Sequence, residues 1–330
     1  VSSSFGNPLE KSSLPPSDSM PVVSESPVPQ KALSKGSSPI TGPFPSTPFQ
    51  ETCPSSALQD RLAINQLTTL RNCLASDLHD YQRFGIPAIG LHWRKLLRYG
   101  VRRSLRRIQQ SGMVVSSLGW ISGFTGDHSC PLNDVISEGR RIIRFAGQVN
   151  AKTVTVITGP QGGHIRSHAL RIVTDSLKEL SDLAAVYGVT LAVQPMHMMY
   201  ARNWSFLNSI DETLALLDRV NHPHLQMAFG AYHLWEENDL LRRAGEIASR
   251  IRLVSLADWS DAPRHENDRL LPGEGRLPLT DLISALEQNG YAGWYEMEVW
   301  SRDLWNLESR EVIRQCVAAR DRLADQIINR

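Results

Sequence analysis

The chain has 330 residues, 41% of them hydrophobic, with 35 Lys and Arg against 34 Asp and Glu. That length builds one sizeable core, for which a single α/β barrel of about 250 residues serves as well as two smaller domains, and the near-neutral charge excludes a broadly basic nucleic-acid or membrane surface in favour of a small-molecule partner. No run approaches the roughly 18 apolar residues of a membrane span, the N-terminus lacks a signal-peptide pattern, and Cys53, Cys73, Cys130 and Cys316 are too scattered for a zinc cluster or disulfide framework, so a soluble protein of the reducing cytoplasm is expected.

Residues 1–57 are dominated by Ser and Pro, as in "SSLPPSDSMPVVSESPVPQ", and hold no sustained period. Such a stretch cannot bury enough apolar surface to offset its ordering entropy, so a disordered leader is expected, either a dispensable extension or a regulatory arm. From residue 58 to 330 short apolar runs alternate with amphipathic ones. The apolar runs are "LAINQLTTL" (62–70), "IPAIGLH" (86–92), "MVVSSLG" (113–119), "TVTVITG" (153–159), "TLAVQP" (190–195), "LQMAFG" (225–230), "IRLVSLA" (251–257) and "WYEMEV" (294–299). Between the fourth and fifth, Leu170, Val173, Leu177, Leu180 and Ala184 recur at helical spacing and Gly188 supplies a stop. Leu282, Ile283, Leu286 and Gly290 repeat the design, and a last helix is expected over "ESREVIRQCVAARDRLADQII". Eight strands alternating with helices predict a parallel sheet closed as a (β/α)₈ barrel. A doubly wound open sheet is the alternative, but no G-x-G-x-x-G loop follows the first strand.

Chemistry in such a barrel is built on the loops after the strands. The residues at those places are Trp93 and Arg94 after the second strand, Trp120 after the third and His164 after the fourth. Gln194 and His197 follow the fifth, Gly230, Tyr232 and His233 the sixth, Ser255, Asp258, Trp259 and then Arg269 the seventh, and Glu296 and Glu298 lie on the eighth. Arg94 opens a basic helix, "RKLLRYGVRRSLRR", which by itself reads as a solvated face.

The fragments "QPMHMMY", "GAYHLW", "SLADW", "DRLLPGEG" and "EMEVWS" occur in this order at the ends of the last four strands. In that order they resemble the xylose-isomerase-like barrels that include sugar-phosphate isomerases and epimerases and the endonuclease IV-like proteins, over about residues 60–305. The resemblance implies a divalent cation held by a Glu, an Asp, a His and a second Glu, with the two glutamates moving the substrate's proton. Carried over, those positions fall on Gln194, Gly230, Ser255 and Glu298. Only the last keeps a charge, so no tight metal site and no cofactor are expected, and a two-base epimerisation is not expected either. A cation (Mn, Mg, Zn or Co) belongs only to the alternative, an active isomerase, epimerase or lyase.

The family positions that persist imply a wall for a small sugar or polyol, formed by Trp93, Arg94, Asp258, Trp259 and Arg269, which with His197 and His233 are expected to converge on one mouth-side pocket, and the replaced Gln194 is a further candidate for substrate contact. If chemistry persists, Glu298 is the expected base, with His197 or His233 as its acid. Glu296 and Glu298 are two apart and so share a face. With Glu298 inside the barrel, Glu296 lies one layer deeper, as a hydrogen-bonded core acid.

Overall fold

The computed structural model describes residues 57–126, 130–260 and 263–329. Most of the expected leader, residues 1–56, lies outside them. Eight strands, β1 (Leu62–Asn65), β2 (Ala88–His92), β3 (Val114–Ser122), β4 (Thr153–Ile157), β5 (Thr190–Val193), β6 (Leu225–Gly230), β7 (Ile251–Leu256) and β8 (Trp294–Met297), form a closed parallel barrel in chain order. Closure is made where β1 pairs with β8, Leu62 opposite Tyr295 and Ile64 opposite Met297. The predicted (β/α)₈ barrel is therefore the fold, and the open sheet is excluded.

Each strand is a short apolar run because both its faces are buried. The parity of the runs decides what fills the barrel. Val193, Phe229, Val254, Tyr295 and Met297 point outward into the main core beneath the helices, whereas Ala192, Ala228 and Leu253 form a small separate cluster with Trp294. The alternate positions thus stack inside the barrel as layers. Above the apolar layer lies Glu296, whose carboxylate accepts from Asn65 Nδ2 at 2.8 Å and Ser116 Oγ at 2.5 Å. A Cβ on Gly90 would stand 2.6 Å from Glu296 Oε2, so the glycine is what makes room for this acid. Above that layer come Gln194, Gly230, Ser255 and Glu298, at the mouth.

The helices follow the expected pattern with local differences. The basic segment is two helices, Trp93–Tyr99 and Val101–Ser111, separated at Gly100, whose φ of 93° no β-carbon residue adopts readily. The long helix after β4 is Arg166–Val186 and the last is Ser309–Ile328. A buried ion pair that composition did not reveal links this ring to β1. Lys95 Nζ donates to Asp77 Oδ2 at 2.7 Å and to the Thr69 carbonyl at 2.9 Å, while Gln66 Nε2 and Thr69 Oγ1 donate to the same Asp77 carboxylate. Among the described residues no helix is long and apolar enough to cross a membrane, and Cys73, Cys130 and Cys316 are free thiols.

Candidate functional site at the barrel mouth

The loop between β7 and β8 brings the cationic residue over the mouth. Asp258 and Leu270 exchange backbone hydrogen bonds at 2.8 and 3.1 Å, and Arg269 N donates to the Trp300 carbonyl at 3.0 Å. The segment carrying Arg269 is thereby stitched between the ends of two strands. Its guanidinium, 1% exposed, lies 4.3 Å from the centre of the Trp300 ring, 4.6 Å from that of Tyr232 and 5.9 Å from that of Tyr200. Such contacts contribute about 0.5–2 kcal/mol each when desolvated. Arg269 also approaches the Glu298 carboxylate at 3.9 Å and donates to the Glu298 carbonyl at 3.3 Å.

Glu298 itself is fully engaged. Ser255 Oγ donates to Oε2 and Trp300 Nε1 donates to Oε1, both at 3.0 Å. Burial pushes its carboxyl above the usual range, and Arg269, Ser255 and Trp300 oppose that shift. The deeper Glu296 is raised by burial too, against its hydrogen bonds from Asn65 and Ser116.

These contacts decide whether a divalent cation fits the four positions carried over. At Gly230, the space where a side chain would begin is taken: a Cβ there would lie 3.0 Å from His233 Cδ2 and 3.2 Å from Gln194 Nε2. Ser255 spends its hydroxyl proton on Glu298, and the nearest positive charge to Glu298 is a guanidinium. One carboxylate, an amide and a hydroxyl, with a fixed cation beside them, do not make a site for a divalent ion. Among the described residues no group of three or more His, Cys, Asp or Glu is placed to hold one.

The two histidines expected as acid partners of Glu298 lie in different surroundings. The His233 ring receives the His197 backbone N–H on Nδ1 at 3.3 Å and faces Arg269 through Nε2 at 3.2 Å. Burial first, and then the Arg269 charge, hold its pKa well below the ordinary histidine value, and the neutral ring can accept from only one of these two donors. A neutral ring of this kind is no proton donor near neutrality. His197 bonds Glu236 Oε2 through Nε2 at 2.9 Å, accepts from Met199 N on Nδ1, and stacks on Trp235. Both nitrogens are committed at the rim, away from Glu298.

The residues expected around one pocket have separate contacts. Asp258, 0% exposed, accepts from the backbone N–H groups of Trp259, Gly273, Gly275 and Leu277 at 2.8–3.0 Å, which leaves it no capacity for a ligand. Trp259 packs against Trp235, Tyr232 and His197. Trp93 turns outward, donating from Nε1 to Glu138 at 3.0 Å and meeting the Phe145 ring edge-on. His164 pins its own loop by a 2.7 Å contact with the Thr125 carbonyl. The predicted residues therefore divide between a closed aromatic mouth, holding His197, His233, Trp259 and Arg269, and a recess at its rim, lined by Trp93 and Arg94. Trp120 belongs to both: it lines the recess and stacks on Trp300 at 5.8 Å. Sequence reasoning missed Tyr200, Trp204 and Trp300. Tyr200 and Trp300 stand inside or beside the recognised fragments, whereas Trp204 lies in an aperiodic loop with no signal.

Comparison with known proteins agrees with this architecture. Residues 78–316 match the family described as Xylose isomerase-like TIM barrel. An inosose isomerase of Halalkalibacterium halodurans is 22% identical over 265 residues, spanning 77% of this chain and 93% of that protein. An L-ribulose-5-phosphate 3-epimerase of Shigella flexneri is 25% identical over 189 residues, spanning 56% of this chain and 62% of the epimerase. The solved IolI protein with a zinc atom superposes with a TM-score of 0.72 at 20% identity, over 81% of this chain and 99% of its own. The chain belongs to the xylose isomerase-like TIM barrel family.

Proposed function

We propose that this chain is a cytoplasmic sugar- or polyol-binding member of the family that works without the divalent cation, its isomerase or epimerase chemistry altered or lost. The relatives named above act on small sugars, which supports the ligand class. The observation that carries the reading is the occupied mouth: Glu298, the only charged residue of the four carried-over positions, is held by Ser255, Trp300 and the Arg269 guanidinium. Arg269 thus takes the electrostatic part that a metal would have. One observation favours the alternative, an active isomerase, epimerase or lyase: burial raises the Glu298 carboxyl, which suits a general base.

Elemental analysis after dialysis against Mn, Mg, Zn and Co separates the two when combined with turnover assays on ketoses and inososes. The expected result is no stoichiometric metal and no turnover that depends on one. One equivalent of tightly held metal, lost in Glu298→Ala, would restore the metal-dependent isomerase.

A further inference from the structure

The near-neutral total conceals a separation of charge along the chain. Residues 81–126 hold seven arginines and one lysine and not one aspartate or glutamate, whereas the whole chain is positive by a single charge, so everything outside this stretch is acidic by seven. The lysine, Lys95, is buried in its pair with Asp77. What remains on the surface is arginine.

Four of them, Arg102, Arg103, Arg106 and Arg107, stand exposed on the helix Val101–Ser111, whose opposite face, with Ser104 and Ile108, is buried against the barrel. The two pairs are one turn apart, about 6 Å along the axis. None of the four makes an ion pair among the described residues, and Arg103 lies over the Tyr99 ring, 4.4 Å from its centre. The helix Leu132–Gln148 runs beside them: Gln109 Nε2 donates to the Gln148 carbonyl at 3.1 Å, and Arg141 sits 5.9 Å from the centre of the Trp93 ring. One turn on from Arg141, the exposed Arg144 extends the same flank.

This face is unfavourable for a helix by itself. Like charges four apart, as in Arg102 with Arg106 and Arg103 with Arg107, repel, and two cations in the first turn oppose the helix dipole. Elsewhere exposed arginines are paired within their own helices, Arg242 with Glu246 and Arg314 with Glu311. A face that departs from a rule kept in the rest of the molecule is accounted for by an anionic partner that neutralises it. An acidic protein would dock around an apolar centre, and a membrane would take up the apolar side of the helix. That side is packed into the barrel, and on these helices Leu97 is the one large apolar side chain exposed among the described residues. A phosphodiester backbone requires neither feature, because counterion release supplies its affinity and the planar guanidinium suits phosphate oxygens. Base stacking has no platform here, since Arg103 covers Tyr99 and Arg141 covers Trp93, which favours a duplex over a single strand. We infer that this flank docks the phosphate backbone of a nucleic-acid duplex without reading its bases. The surface is separate from the barrel mouth, and the inference is independent of the sugar-binding reading.

The test is fluorescence anisotropy of the full chain with labelled 20-base-pair duplexes of DNA and of RNA, titrated at several salt concentrations. Binding of at least one duplex is expected, indifferent to sequence, and the tighter of the two names the source of the phosphates. Four phosphate contacts would give log K against log salt a slope of about −3.6. Changing Arg102, Arg103, Arg106 and Arg107 together to Gln is expected to raise Kd tenfold or more and to flatten that slope, with the thermal midpoint no lower than the parent's because repulsion has been removed. Arg141→Gln with Arg144→Gln, on the other helix, is expected to raise Kd severalfold, and keeps the test decisive if the first variant fails to fold. The matched control changes the ion-paired Arg242, Arg250, Arg314 and Arg322 to Gln and should leave Kd little altered. An equal loss in the control would mean attraction by total charge and would overturn the flank as a site. Failure of both duplexes to bind at 50 mM salt would overturn the partner. Tighter binding to vesicles of phosphatidylserine and phosphatidylcholine than to either duplex, lost in the four-arginine variant, would assign the flank to a membrane and overturn the nucleic-acid reading.

Discussion

At Arg269 and Glu298 two opposite charges share a nearly dry space, 1% and 7% exposed at their side chains. Removing one partner leaves the other buried and uncompensated, so Glu298→Gln or Arg269→Met is expected to cost about 3–5 kcal/mol in urea denaturation. Removing both at once should recover much of that loss, since a neutral pair carries no desolvation penalty. Additive losses in the double variant would mean that the two side chains act independently. The neutral histidines make a different prediction. An unfolded His92 takes up a proton below pH 6.5, whereas the folded ring does so only near pH 3. Between those limits the unfolded state binds more protons, so stability falls with falling pH, by up to about 1.4 kcal/mol per pH unit for each such ring. His233, lowered by burial and Arg269, adds in the same direction. His92→Phe should flatten the acid limb of a stability–pH curve, and an unchanged slope would contradict the burial argument.

At the scale of elements, Asp258 works as the anchor of a loop. Four backbone N–H groups from residues 259–277 converge on one carboxylate. Asp258→Ala would strand those donors, each costing about 1–3 kcal/mol if it finds no water, and release the segment that carries Arg269. Faster proteolysis within 263–277, with the barrel's own unfolding less affected, is the expected signature. If 263–277 stays as protected as in the parent chain, the anchor is elsewhere. The same residue shows where sequence reading stops. The fragment "SLADW" located Asp258 correctly at the end of β7, but its role depends on Gly273, Gly275 and Leu277, whose N–H groups reach it only after a loop turn that periodicity does not encode. Trp93 is a parallel case: its position after β2 was legible, while its outward turn to Glu138 depends on a helix 45 residues away. Strand parity put Glu296 and Glu298 on one face, because a spacing of two has only one physical meaning in a strand, whereas that this face is the inner one was implied only by the family resemblance.

At the scale of the whole molecule, eight apolar runs joined by helices leave few alternatives to a closed barrel, which is why the fold could be read ahead of the site. What the barrel holds at its mouth was less accessible, since the packing of Arg269 against Trp300, Tyr232 and Tyr200 joins residues from four different loops. That packing has a thermodynamic consequence for the entire domain. A ligand that binds only the folded state stabilises it, by about 2.7 kcal/mol at a hundred times its Kd. For a domain of this size such a gain shifts the unfolding midpoint by more than about 5 °C. A divalent ion brought to Glu298 has to approach the Arg269 guanidinium, displace the hydrogen bonds from Ser255 and Trp300, and find no second carboxylate among the four carried-over positions. Its differential affinity for the folded chain should therefore be negligible. Millimolar Mn, Mg, Zn or Co, or their removal with a chelator, is expected to leave the thermal midpoint unchanged, whereas a neutral sugar should raise it in a saturable way. A saturable rise with one of these metals, absent in Glu298→Ala, would show that the mouth opens to a cation, and that Arg269 is a displaceable occupant of the metal's place.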